Sequence, residues 1–195
     1  EHPDVLISVA TVKHEVAQAA LDAGAAIVND VTAGRHDLQL LGVAARHKAG
    51  IVLSHSRGEV GRLASYDAAE YDGDVAGGVT RELDVSRGTA LAAGIAMEAI
   101  VLDPGFGFAK HPEQNIALLD QVAAVVALGS PVLIGASRKR FLGEVTGRPL
   151  EDRDRATAAA CALSLDRGAR LFRVHDPEGT RDALAVAEAL WRSRQ

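Results

Sequence analysis

Six short apolar runs recur along the chain, at residues 5–9, 26–28, 51–53, 99–102, 131–134 and 170–174, and each gives way to a cluster of polar residues. Runs this continuous suit strands buried on both faces, as in a parallel sheet. Between them lie stretches with helical spacing. Val16, Ala19, Ala20 and Ala23 fall at i, i+3, i+4 and i+7 and predict the buried face of a first helix. Segments 38–48, 79–93, 114–128, 155–166 and 183–191 read the same way. Gly24, Gly50, Gly94, Gly129 and Gly168 each follow a helical stretch and precede a strand, where glycine closes a helix in the left-handed conformation. The rhythm is six βα units.

An open doubly wound sheet and a closed barrel both fit that rhythm. No G-x-G-x-x-G follows the first strand, which weakens the dinucleotide-binding form of the open sheet. Every strand instead ends in polar residues: Thr11, Asn29 and Asp30, His55 to Arg57, Asp103, Ser137 to Lys139, and Arg173 to Asp176. In a TIM barrel such residues converge on one mouth, so the pattern favours the barrel. A complete barrel has eight units and about 250 residues. The expectation is therefore an α/β fold, a (β/α)8 TIM barrel lacking its first two βα units, with residues 1–195 forming one domain incomplete at its N-terminus.

Composition narrows the partners. Aromatic residues make up only 4% of the 195, so Ala, Val, Leu and Ile must fill the core. A net charge of -5 argues against general nucleic-acid binding. No apolar run approaches the roughly 20 residues that span a bilayer. The opening Glu-His-Pro-Asp lacks the pattern of a signal peptide. Cys161 is the single cysteine, so neither an internal disulfide nor a thiolate metal cluster is available, and it reads as a small buried residue. A cytoplasmic protein without nucleic-acid or membrane partners is expected.

Three segments carry chemistry. In Asp103-Pro-Gly-Phe-Gly-Phe-Ala-Lys110 a strand delivers a carboxylate to its C-terminal edge, followed by a tight turn that a flat ligand can approach. A carboxylate there can accept two hydrogen bonds from an amino-pyrimidine edge; capping the loop is an equally ordinary role for Asp. In Gly135-Ala-Ser-Arg-Lys-Arg-Phe-Leu-Gly143 three cations follow a buried strand, an arrangement that repels itself unless an anion or carboxylates sit among them. A solvated basic turn is the plain alternative. In Arg173-Val-His-Asp176 strand alternation puts Arg173 and His175 on one face, where they could clamp a phosphate; an ion pair with Asp176 is the simpler reading. The strand ends thus collect Arg57, Lys110, Arg138, Lys139, Arg140, Arg173 and His175, a cationic mouth on an acidic body that would steer a small anion.

Taken together, these segments resemble the dihydropteroate synthases. Ser8-Val-Ala-Thr-Val-Lys13, Ile27-Val-Asn-Asp30, Ser54-His-Ser-Arg-Gly58, Asp103 to Lys110, Ser137 to Lys139 and Arg173 to Asp176 are similar, in order and spacing, to that family's third to eighth strand ends. The resemblance implies a TIM barrel in folate biosynthesis, a transferase joining 6-hydroxymethyl-7,8-dihydropterin diphosphate to p-aminobenzoate with release of diphosphate. It implies that Asn29, Asp103 and Lys139 hold the pterin, that Arg173 and His175 hold the diphosphate, and that Phe108, Lys139 and Arg140 border the aminobenzoate. Asp103, Lys139, Arg173 and His175 are then the catalytic set. It further implies magnesium carried mainly on the diphosphate, with its protein ligand in the missing N-terminal part, a homodimer through the later helices, and the target class of the sulfonamides. Position 140 is often Ser in that family, and Arg also occurs there; Arg140 could alter how a carboxylate is held.

Two departures stand out. Ala10 occupies the place of a family aspartate that contacts the pterin, and the first two βα units are absent. Weak or no turnover is therefore expected of this chain. A non-catalytic pterin-binding barrel and the methyltetrahydrofolate-binding barrel of corrinoid methyltransferases are the alternatives; the cations of the last two segments favour a diphosphate leaving group over a methyl group.

Overall fold

The protein is described by a computed structural model covering residues 5–194, so the ends of the expected domain, 1–4 and 195, lie outside the described residues. Six parallel strands alternate with helices: β1 (Ser8–Ala10), α1 (His14–Asp22), β2 (Ile27–Asp30), α2 (Gln39–Arg46), β3 (Gly50–Ser54), α3 (Val75–Ala92) and β4 (Ile100–Asp103). Then follow α4 (Pro112–Asp120), α5 (Val122–Val126), β5 (Leu133–Ile134), α6 (Arg140–Thr146), α7 (Asp154–Asp166), β6 (Leu171–Phe172) and α8 (Pro177–Arg192). Strands β1 to β4 pair in sequence order, β5 pairs with β6, and a parallel bridge from Leu102 to Val132 joins the two sets.

The sheet curls rather than lying open. Arg173, just after β6, hydrogen-bonds Asn29 on β2, four places away in the strand order. An open sheet would hold those ends far apart. Alternate residues of the strands, among them Ala10, Asn29, Val52, Val101 and Leu133, line a lumen of about 470 Å³. The opposite set (Val28, Ile51, Leu53, Ile100, Leu102 and Ile134) faces the helices and is fully buried. The two-sided burial expected of barrel strands holds along β2, β3 and β4 but not at the ends of the strand order, where Ser8 and Ala10 of β1 and Leu171 of β6 are exposed. The architecture is the (β/α)8 barrel with six of its units supplied by this chain.

Helix starts follow local chemistry. Asp74 caps α3 by accepting from the Gly77 N–H, and Asp176 caps α8 from Gly179 N–H ahead of Pro177 at the first helical position. Those caps extend both helices upstream of their apolar stripes. The stretch 114–128 is broken at Gln121 into α4 and α5.

Three local expectations fail. The first strand starts at Ser8, and Val5, Leu6 and Ile7 are exposed outside the ladder. On α1 the face turned inward carries Ala17, while Val16, Ala19 and Ala23 point outward. So many positions of this helix are Ala that Ala17, Ala20 and Leu21 make a second apolar stripe, and packing against α2 selects that one. Finally, the left-handed residue after α2 is Lys48 (φ 51°), not Gly50, which opens β3 in register with Ile27. No described helix is long and apolar enough to cross a membrane.

Candidate active site

The C-terminal ends of β2, β3 and β4 and the segments after β5 and β6 surround one mouth, and a single buried carboxylate organises it. Asp103 is 1% exposed. Its Oδ1 accepts from the Gly105 N–H at 2.8 Å, and its Oδ2 accepts from the Ser54 hydroxyl at 3.2 Å and from Arg173 Nη2 at 3.3 Å. The turn-capping role read from the sequence is present, through one oxygen, and the other oxygen is directed to Ser54 and Arg173. Arg173 Nη1 also donates to Asn29 Oδ1 at 3.2 Å, so the guanidinium bridges Asn29 and Asp103.

Lys139 enters from the opposite side. Its ammonium lies 3.9 Å over the Phe108 ring, and its stem passes against Gly107. Burial lowers its pKa below the ordinary lysine value, while the Asp103 charge opposes that shift. His175 is held by Ser137: its backbone N–H donates to Ser137 Oγ at 3.1 Å, and the same Oγ lies 2.8 Å from His175 Nδ1. Arg140 stacks 4.1 Å over Tyr66 and lies 3.6 Å from Glu144. Asn29, Asp103, Phe108, Lys139 and Arg173 therefore come together; His175 stands beside them on its own partner, and Arg140 lies at the rim. Asp176 forms no pair with Arg173 or His175, because its carboxylate caps α8.

The mouth holds fewer free cations than the sequence predicts. Arg138 is tied to Asp154 by two bonds, 2.8 and 2.6 Å. Arg57 is bonded to Glu82, and Lys110 is 1% exposed, behind the mouth. Carboxylates, not a ligand, neutralise Arg57 and Arg138. Of the cations gathered at the mouth, Lys139 has no carboxylate partner among the described residues, and Arg173 is shared between Asp103 and Asn29.

Sequence reasoning missed the buried network behind the mouth. Lys110 Nζ lies 3.0 Å from His55 Nδ1, and His55 Nε2 lies 3.0 Å from Glu82 Oε2. Glu82 sits mid-helix on α3, where nothing in the local pattern marks it out. Burial first, and then the Lys110 charge, push the His55 pKa down to about 4, against the pull of Glu82. The unfolded chain binds a proton on this histidine below about pH 6.5, whereas the folded chain resists it down to about 4. The His55 contribution to stability is thus complete above pH 6.5 and declines as pH falls toward 4, by on the order of 3 kcal/mol. Urea unfolding between pH 7 and 4.5 should show that decline, flattened in His55→Gln. Equal slopes in both proteins would remove His55 as the cause.

Comparison with known proteins agrees with this geometry. The sequence matches the family described as pterin binding enzyme over residues 1–175. It is 41% identical over 190 residues to a dihydropteroate synthase of Synechocystis sp., an alignment covering 97% of this chain and 65% of that protein. Among solved structures it is similar to dihydropteroate synthase from Thermus thermophilus in complex with 4-aminobenzoate, with a TM-score of 0.88 and 42% identity over 95% of this chain and 71% of the other. It is likewise similar to dihydropteroate synthase from Xanthomonas albilineans in complex with 7,8-dihydropteroate, with a TM-score of 0.86 and 41% identity over 95% and 67% of the two chains. The chain spans about two thirds of the length of these proteins.

Proposed function

The chain belongs to the dihydropteroate synthase family of pterin binding enzymes, and from that membership we propose that its mouth binds a dihydropterin diphosphate for condensation with p-aminobenzoate. The observation that carries the reading is the buried Asp103 carboxylate, flanked by Asn29 and faced by two cations, Lys139 and Arg173. A carboxylate in that setting can accept two N–H bonds from an aminopyrimidine edge. Lys139 then meets a ring oxygen or nitrogen, and Phe108 offers an apolar face beside it for an aminobenzoate ring.

The chemistry follows from charge. Breaking the C–O bond to the pterin methylene leaves positive charge on the pterin and negative charge on the departing diphosphate. Asp103 stabilises the first; Arg173 and His175 offset the second. The aromatic amine attacks the methylene through its own lone pair, so no strong base is required. In the described structure Arg173 is engaged with Asn29 and Asp103. Pterin uptake therefore requires the guanidinium to leave Asp103, and a diphosphate is the partner that draws it away.

The residues of the mouth do not fit a magnesium site. Its buried carboxylate, Asp103, lies beside two cations, Arg173 and Lys139, whose charges repel a divalent ion. The one described cluster that could hold an ion, His14 with Glu15 and Asp37, includes a 2.7 Å bond between His14 and Asp37.

Ala10 lies opposite Asn29 in the β1–β2 register and lines the same lumen as Asn29 and Arg173. A carboxylate there would add one charge-assisted bond to the pterin, worth roughly 1.5–3 kcal/mol, or more than tenfold in affinity. Titration calorimetry with 6-hydroxymethyl-7,8-dihydropterin diphosphate, then p-aminobenzoate, tests both points. The chain is expected to take up the pterin and release little diphosphate, and Ala10→Asp to bind at least tenfold tighter. No heat from either protein would refute the reading.

A further inference from the structure

Behind the mouth the fold seals an ammonium that the proposed chemistry does not use. Lys110 Nζ lies 3.0 Å from the Gly105 carbonyl, 3.1 Å from the Phe108 carbonyl and 3.0 Å from His55 Nδ1. An ammonium has three N–H bonds, and each has its acceptor here, so none is left for a ligand. Other groups hold the same loop from behind. Asn115 accepts from the Gly107 N–H at 2.8 Å and donates to the Lys110 carbonyl at 3.0 Å. The Tyr71 hydroxyl donates to the Ala109 carbonyl at 3.1 Å. On its front, the loop offers the Phe108 ring, over which the Lys139 ammonium sits at 3.9 Å.

A buried charge is costly to desolvate, and a Met or Leu would fill the same space without that cost. What an apolar side chain cannot do is satisfy the two loop carbonyls that Lys110 holds, Gly105 O and Phe108 O. We propose that Lys110 is a positioning residue of the pterin site, a sealed pin that fixes loop 105–109 and through Phe108 sets where Lys139 meets the ligand. This inference rests on the reading of the mouth given above.

The pin is sensitive to proton loss. Burial brings the Lys110 pKa down to about 7, with Asp103 holding it up. His55, Arg57 and Tyr71 face it from the segment between β3 and α3, Glu82 from α3, and Asp103 and Lys139 add their charges from the mouth. Above that pH the amine keeps two N–H bonds for three acceptors, and one contact fails. Pterin affinity should then decline as pH rises through 7. The pterin also titrates, but its contribution is common to wild type and variants and cancels in the ratio of affinities; Lys139, whose charge lowers the Lys110 pKa, belongs to the same coupled response.

Titration calorimetry with 6-hydroxymethyl-7,8-dihydropterin diphosphate from pH 6 to 9 tests the pin in wild type and Lys110→Met, with thermal unfolding to verify the fold. At pH 6 the variant should bind about tenfold more weakly, and the ratio should fall as pH rises to 9 without reaching one, because the neutral amine keeps two of its three bonds. A ratio of one at pH 6, or a ratio constant with pH, overturns the role of Lys110 while leaving the pterin site intact. No uptake by wild type at pH 6 overturns the pterin site and this inference with it. If Lys110→Met does not fold, Lys110→Gln keeps two N–H donors, carries no charge and supports the same comparison, with an intermediate loss expected at pH 6.

Discussion

Replacing Asp103 by Ala is expected to weaken binding of the dihydropterin diphosphate by 100-fold or more. The carboxylate is almost completely buried, and three donors converge on it, the Ser54 hydroxyl, the Gly105 N–H and Arg173. Two charge-assisted bonds to an aminopyrimidine edge contribute roughly 3 kcal/mol or more together, which corresponds to at least a hundredfold. Truncation does more than remove those bonds. It leaves Lys139, whose charged form Asp103 favours against burial, facing Arg173 with no counter-charge between them. Asp103→Asn separates shape from charge: it keeps one acceptor oxygen in the same volume and should lose about tenfold. Calorimetry on both variants reads the difference. Binding of Asp103→Ala within threefold of wild type would show that the pterin edge is held elsewhere.

The parts of this molecule legible in the sequence are those fixed by local pattern. Strands buried on both faces announce themselves as apolar runs, and their polar ends mark the residues brought to the mouth, which is how Asn29, Asp103 and Arg173 can be grouped without coordinates. Direction is harder to read. Lys110 and Lys139 stand in similar glycine-bearing segments, yet one is sealed behind the loop and the other opens toward the mouth. Nothing local distinguishes them; the difference arises because His55, from another strand end, stands behind the turn and accepts from Lys110. Arg57 and Arg138 look free in the sequence for the same reason, since their carboxylates, Glu82 and Asp154, are 25 and 16 residues away along the chain. The face of α1 is ambiguous from the start. A helix rich in Ala has several apolar stripes, and only its neighbour α2 decides between them.

The second large effect concerns stability, and Gly105→Ala should show it. Gly105 has φ +70°, and a Cβ at that position would collide with the His55 carbonyl oxygen. That atom belongs to backbone, so no side-chain rotation relieves the contact. His55 is anchored as well: its N–H donates to the Asp103 carbonyl at 2.8 Å. Gly147 supplies the control, for its φ is +69° and no neighbouring atom lies within 4 Å of where an alanine methyl would stand. Gly147→Ala meets only the left-handed backbone cost of roughly 1–2 kcal/mol. Gly105→Ala meets that cost and the displacement of one strand end from another, for an expected loss of about 4 kcal/mol or more. Urea unfolding of the two variants separates the terms. Because the displaced segment carries both Asp103 and the loop pinned by Lys110, any Gly105→Ala protein that still folds should also lose pterin affinity, whereas Gly147→Ala should bind as wild type. Equal stability of the two variants would mean that the close approach of β3 and β4 at the mouth is soft, and that neither Asp103 nor the loop after it is rigidly placed.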